Sequence, residues 1–253
     1  LVTALQALRI TGEVITTPFS FVATTHALWW NNIKPVFVDI DDRTYNMDPA
    51  KLEAVITERT RAIIPVHIQG LSADMDPILA IARKYNLFVI EDACQAHGAT
   101  YKGKKVGAMG DASAFSLNNF KNLPGGEGGL FVTNDEVLLQ KGNLIRCFGD
   151  EVDEVSHRRQ YNASILGYMY RNQELPAAFA RGQLKHLDEY NEIRIKNADY
   201  LTENLAKIPG VIPPYCPPEC THVYFMYNVR FDPKAAGVKC SPRIFRTAVE
   251  KAL

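Results

Sequence analysis

The stretch LFVIEDACQAHGA, Leu87 to Ala99, decides the fold. It opens with four apolar residues in a row, turns abruptly to the acids Glu91 and Asp92, and continues in small residues. A strand with one wet face alternates apolar and polar side chains, whereas a strand covered on both faces stays apolar. The runs Val36 to Ile40 and Ala62 to Ile68 have the same texture. Between the strands lie SFVATTHALWW, a helix expected from Asp48 over DPAKLEAVI, and ADMDPILAIARKYN. Strands alternating with helices predict an α/β domain with a mainly parallel sheet. ASAFSL and GGLFVTND extend it as a hairpin-like pair around a glycine loop.

After about residue 135 the pattern becomes helical. EVLLQKGNLIRCF predicts one helix, and Glu174 to Ile208 predicts a single long one, with Leu, Ala and Tyr at three- and four-residue spacing. DEVDEVSHRRQYN between them is polar and expected to be exposed. The Pro-rich GVIPPYCPPECTH reads as a connection, and HVYFMYNVRF as a strand opening a smaller α+β domain. LVTALQAL begins, and FRTAVEKAL ends, inside a helical pattern, so the expectation is a piece of a longer protein.

The totals exclude several function classes. In 253 residues, Lys+Arg and Asp+Glu are both 28, a balance that gives no broad cationic footprint for nucleic acid or an anionic membrane. No apolar run reaches the ~18 residues of a membrane span, and no signal pattern opens the chain, so the expected compartment is the cytoplasm. Five dispersed cysteines point to reduced thiols. Cys216, Cys220 and His222 fall short of the four ligands of a structural zinc, so no metal is expected.

In open α/β sheets ligands bind beyond the carboxyl ends of the strands, where Glu91, Asp92 and Gln95 stand. An acid there is either a helix N-cap or a partner for a cationic ring nitrogen. A second stretch, FSLNNFKNLPGGEGG from Phe115 to Gly129, sets Lys121 between an apolar strand and a loop of four glycines. Such a lysine is either a surface residue before a turn or an amine that forms a Schiff base, which requires a desolvated site beside a carbonyl. Ser116 offers a hydroxyl to a phosphate.

These parts together resemble the pyridoxal-phosphate-dependent nucleotide-sugar aminotransferases of the DegT/StrS family. The likeness is carried in order by EVITTPFSFVATTHAL, KPVFVDID, IIPVHIQG, VIEDACQAHGATYKGKKVG, GDASAFSLNNFKNLPGGEGG and LGYMYRNQELPAAFARGQL. It implies the large domain of a fold type I transferase, a three-layer sandwich around a mainly parallel sheet, over residues 1–205. Residues 206–253 then hold a linker and the start of the small domain, with both ends of the chain cut. It implies pyridoxal 5'-phosphate as cofactor and Lys121 as the lysine that forms the internal aldimine and shuttles the proton. Asp92 partners the pyridine nitrogen, Gln95 neighbours the ring hydroxyl, Phe21 stacks on the ring and Ser116 contacts the phosphate. The remaining phosphate-binding turn falls before Leu1.

The implied reaction moves an amino group from glutamate or glutamine to a nucleotide-linked keto-sugar, in a homodimer with shared active sites. His97, Arg171 and Asn118 stand as candidates for substrate or subunit contact, and His97 and His67 as pocket-lining or as packed core histidines. The family's Gly-Tyr-Asn-x-Arg reads LGYMYR here, so Met169 replaces an asparagine that reaches the partner subunit's phosphate. Trp29 and Trp30 are read as packing a helix onto the sheet or the dimer seam. Two other readings of the same fold are a sugar dehydratase, in which histidine replaces the lysine, and a regulatory or partner-binding protein. Lys121 argues against the first, and the retained set Asp92, Gln95, Ser116 and Lys121 against the second.

Overall fold

The computed structural model describes residues 1–153 and 158–252. The chain runs α1 (Val2–Ala7), β1 (Glu13–Thr16), α2 (Ala23–Trp29), β2 (Lys34–Phe37), β3 (Thr60–Ile63), α3 (Met75–Lys84) and β4 (Phe88–Asp92). A small hairpin, β5 (Thr100–Tyr101) and β6 (Lys104–Lys105), precedes β7 (Ala112–Ser116) and β8 (Gly129–Val132). Then come α4 (Glu136–Arg146), β9 (Asp150–Val152), β10 (Arg159–Ala163), α5 (Glu174–Leu184) and α6 (Leu187–Leu205). The chain finishes with β11 (Val211–Ile212), β12 (Cys220–Thr221), β13 (Arg230–Phe231) and α7 (Pro242–Ala252).

The central sheet has the order β2-β1-β3-β4-β7-β8 and is parallel except for the β7–β8 pair around the glycine loop. Successive strand residues point to opposite faces, and the core divides accordingly. Val14, Ala62, Ile64 and Ile90 pack with Ala4 and Leu5 of α1 and Ala27 and Leu28 of α2. Ile15, Ile63 and Val89, their immediate neighbours in sequence, pack with Met75, Ile78 and Ala82 of α3. Helices therefore cover both faces of the middle strands, as the unbroken apolar runs predict.

The structure corrects four expectations. β2 is an edge strand with Lys34 and Phe37 exposed, so its apolar run is not covered on both faces. The stretch from Asp48 forms two 3-10 turns, Pro49–Lys51 and Glu53–Val55, instead of an α-helix. Asp48 caps the first by accepting from Ala50 N at 3.0 Å, and Leu52 between them is wholly buried. The expected long helix is two, α5 and α6, because the amides of Lys185 and His186 bond three residues back instead of four. That tightened turn re-aims the second helix, so Leu187 joins the buried cluster of Leu117, Leu123 and Ala180. Trp29 and Trp30 are 60% and 74% exposed and lie against His26, so they do not pack α2 onto the sheet.

A fifth departure bears on function. Only Arg230 and Phe231 of HVYFMYNVRF form a strand. His222 to Tyr227 instead cross the sheet's carboxyl edge, with Val223 N donating to Gly70 O (3.0 Å) and Met226 N to Gln69 O (3.3 Å). Val223 is buried against Ala93, Ala96, Ala99 and Val106. The small side chains after β4 leave a recess that an apolar segment fills, and burial there outweighs sheet pairing. Of the polar stretch expected to be exposed, Asp150 is buried, and residues 154–157 lie outside the described residues.

Candidate active site

The chain goes outward from β1 to β2 and then returns to β3 on the other side of β1, which places a crevice at the carboxyl ends of the strands. Phe21 follows β1, Asp92 ends β4, Ser116 ends β7, and Lys121 lies in the turn after it. Because these strands are parallel, all four sit on one edge of the sheet.

Asp92 is 5% exposed, with Oδ2 accepting from Thr24 Oγ1 at 2.8 Å and Oδ1 from Cys94 N at 3.3 Å. Thr24 spends its single proton on Asp92, so in its 2.7 Å contact with Ser20 Oγ it accepts. The result is a chain of hydroxyls from Ser20 through Thr24 that orients the acid. No helix follows Asp92, so it caps none. The sequence reading missed Thr24; the available signal was a polar residue on the face of α2 that also carries buried Ala27 and Leu28.

Glu91 points to the opposite face and does different work. It has no exposed surface and accepts from His67 Nε2 (2.9 Å) and from the amides of Gly107 (2.7 Å), Met109 (2.7 Å) and Gly110 (2.6 Å). Burial by itself raises the Glu91 carboxyl, but the His67 bond and the backbone donors outweigh it and hold the group below its ordinary value. His67 Nδ1 accepts from Ala73 N at 3.0 Å, which assigns its hydrogen to Nε2. His67 is therefore a latch between loops. Its amide donates to Asp92 O, so the latch also fixes the backbone that carries the acid.

Lys121 is half-buried in a turn closed by its own amide donating to Asn118 O at 2.9 Å. Burial chiefly lowers its amine below the ordinary lysine value, opposed by Cys94 and then Asp92. Nζ lies 4.3 Å from the centroid of the Phe225 ring, a residue the sequence reading assigned to a strand of the second domain. The Cys94 thiol is pushed far up, by burial first and Asp92 next, and stays protonated. Gln95 is buried, with Oε1 accepting from Gln69 N at 2.7 Å.

Phe21, 68% exposed, and Ser116 line a cavity of about 630 Å³ together with Leu1, Cys94 and Tyr170. Asp92 and Lys121 are not in that lining, although Cys94, whose amide donates to Asp92, is. Ser116 Oγ accepts from Asn118 N at 3.3 Å. The loop that follows needs its glycines: Gly126 and Gly128 have φ of +84° and +131°, and a Cβ on Gly129 would meet Phe115 O at 2.8 Å.

Of the weaker candidates, Asn118 turns away to donate to Glu127 Oε1 (2.9 Å) and closes the loop. Arg171 donates to Cys147 Sγ (3.1 Å) beside the end of α4, and Met169 is 54% exposed. His97 is 3% exposed, tilted against Phe115 at 5.3 Å, and neither ring nitrogen makes a hydrogen bond. Burial lowers it to about 4, more than the nearby Ser116 backbone offsets. His222 stacks on Tyr224 at 3.9 Å and accepts its amide, while Cys216 Sγ bonds the carbonyls of Pro217 and Cys220.

Residues 1–244 match the DegT/DnrJ/EryC1/StrS aminotransferase family, and the chain belongs to it. It is 42% identical over 219 residues to the GDP-perosamine synthase of Caulobacter vibrioides, covering 86% of this chain and 58% of the relative. It is 44% identical over 232 residues to the pleiotropic regulatory protein of Geobacillus stearothermophilus, covering 90% and 60%. The crystal structure of S. venezuelae DesV in complex with a ketimine intermediate superposes with a TM-score of 0.85 at 35% identity, over 91% of this chain and 61% of that one. The chain thus spans about three fifths of the length of the relatives it matches.

Proposed function

We propose that this member of the family forms the cofactor-binding part of a pyridoxal-phosphate-dependent aminotransferase that acts on a nucleotide-linked keto-sugar, with glutamate or glutamine as amino donor. The observation that carries the proposal is the lysine: Lys121 has a partly desolvated amine with lowered pKa, on the same sheet edge as a buried acid. The GDP-linked sugar in the name of the Caulobacter relative supports the substrate class.

The residues present suit the cofactor. An ionised carboxylate has about four lone-pair sites, and Asp92 uses one strongly and one at 3.3 Å, so it retains capacity for a ring N–H. Phe21 offers an uncovered ring face and Ser116 a hydroxyl in the same cavity wall. Pyridoxal phosphate, when bound, supplies an aldehyde that condenses with amines and a pyridinium ring that draws electrons from the adjoining carbon.

The chain's own work is placement and proton transfer. Lys121 Nζ is the attachment point, and its lowered pKa leaves more of it free of its proton near neutrality, so it can take a proton from one carbon and deliver it to another. Asp92, oriented by Thr24, would pair with the ring nitrogen and favour its protonated form. Gln95, whose Oε1 is fixed by the Gln69 amide, keeps an NH₂ that would serve a ring hydroxyl. The proposal includes a homodimer, for which exposed Phe21, Trp29, Trp30 and Tyr170 offer apolar surface, and a cytoplasmic location. Residues 206–253 are assigned to the linker and small domain.

A regulatory role is the second reading, favoured by the name of the Geobacillus relative. The test is to incubate the full-length protein with pyridoxal phosphate, reduce with borohydride and map the modified peptide. Label on Lys121, lost in Lys121→Ala, is the expected result. Absence of label there refutes the catalytic reading.

A further inference from the structure

We infer that Phe225 is a positioning residue for Lys121, its ring face serving as a perch for the lysine ammonium whenever that amine is detached from a bound carbonyl group. The inference rests on the reading of Lys121 given above, and its test separates the two.

Nζ lies 4.3 Å from the Phe225 centroid, inside the ~6 Å range over which a ring quadrupole attracts a cation. The ring is not there by chance of a free side chain. Asn122, the residue after Lys121, donates through Nδ2 to Val223 O (2.9 Å) and to Asn191 Oδ1 (3.1 Å). Asn191 in turn donates to His97 O at 2.8 Å. One buried amide pair therefore ties the lysine turn, the Phe225 segment, α6 and the turn after β4 into a single unit. On the other side Gly70, at φ +101°, accepts from Val223 N, and a Cβ on it would lie 2.9 Å from Phe225 N.

The charges around Nζ leave a place for such a perch. Asp92 and Cys94 act on it from the end of β4 and the turn after it, and His97 faces it from that same turn. Burial lowers His97 to about 4 and raises the Cys94 thiol, so near neutrality neither of these two carries a charge beside Nζ. Among the described residues no ion pair holds Nζ. A ring face attracts the ammonium without engaging its N–H groups in strong hydrogen bonds. The amine therefore stays close to the site and can lose its proton without first breaking one.

The experiment uses the full-length protein freed of cofactor. Lys121 is modified with trinitrobenzenesulfonate across pH and read by peptide mass spectrometry, with exposed Lys196 in the same digest as reference. Phe225→Leu keeps the amine dehydrated but removes the quadrupole, so the Lys121 midpoint should fall by on the order of half a pH unit while Lys196 stays put, and Phe225→Tyr should restore it. A midpoint that is unchanged or higher in Phe225→Leu overturns the inference. Should Phe225→Leu fail to fold, pentafluorophenylalanine at 225 keeps the shape and inverts the ring charge, and the same fall is expected; no fall overturns the inference. Borohydride trapping of pyridoxal phosphate on wild type distinguishes the failures. Trapping at Lys121 with an unmoved midpoint removes the perch alone, whereas no trapping there removes the assignment of Lys121 and the perch with it.

Discussion

Glu91→Gln should cost the fold about 4 kcal/mol, for reasons countable in the structure. The carboxylate takes four hydrogen bonds and has no exposed surface: Oε1 accepts from Met109 N and Gly110 N, Oε2 from Gly107 N and His67 Nε2. A glutamine keeps one oxygen for two of these donors and turns its NH₂ toward the other two. Each buried donor left without an acceptor costs roughly 1–3 kcal/mol, so two cost roughly 2–6 kcal/mol, centred near the figure above. For a chain of this size the melting midpoint should drop by roughly 8–16 °C. Urea unfolding followed by circular dichroism at pH 7 gives the energy, and a thermal melt gives the midpoint. The pH dependence supplies a second check. The folded pKa of Glu91 lies below its unfolded value, so its contribution is fully present above about pH 4.3 and is lost as pH falls through the folded value. The difference between wild type and mutant should therefore narrow in acid. A deficit under about 1 kcal/mol at pH 7, or one that does not narrow, would refute the reasoning.

Asp92→Asn should lower turnover by about 100-fold or more while cofactor affinity changes less than about tenfold, since the acid's charge matters most as the ring takes up electrons; steady-state kinetics with cofactor titration decides, and equal losses in both count against the role. Gly70→Ala should loosen the crossing segment, because φ +101° is strained for alanine and the new Cβ meets Phe225 N at 2.9 Å; faster proteolysis between residues 222 and 227 is the expected readout, and wild-type resistance would contradict it. His97 and His222 both titrate near 4 when folded, against 6.5 unfolded. The unfolded chain then binds more protons, so stability should fall as pH drops from about 6.5 toward 4; His97→Leu should flatten part of that slope in urea midpoints, and an unchanged slope would exclude a contribution from His97.

Much of this protein is legible in its amino-acid sequence. The layered α/β fold followed from apolar runs at Ala62 to Ile68 and Leu87 to Ile90, because burial of both strand faces leaves a local trace in the sequence. Asp92, Ser116 and Lys121 were legible for a similar reason: the carboxyl end of each parallel strand is one edge of the sheet, so position along the chain predicts position in space. Where one element ends and the next turns was less legible, as the split at Lys185 and His186 illustrates, since both helices satisfy the same periodicity and only the docking of Leu187 separates them.

What the chain order could not convey are the contacts made across it. Thr24 reaches Asp92 from 68 residues away, and Asn122 reaches Val223 from 101. Phe225 looks like an ordinary strand aromatic until the segment crosses the sheet edge and lays its ring on Lys121. Periodicity and strand-end rules act between near neighbours and so determined the scaffold and the placing of Asp92 and Lys121 on one edge of the sheet. The orientation of the acid and the surroundings of the amine depend on which distant surfaces fit together, a matter of burial and hydrogen-bond satisfaction that only the folded chain decides.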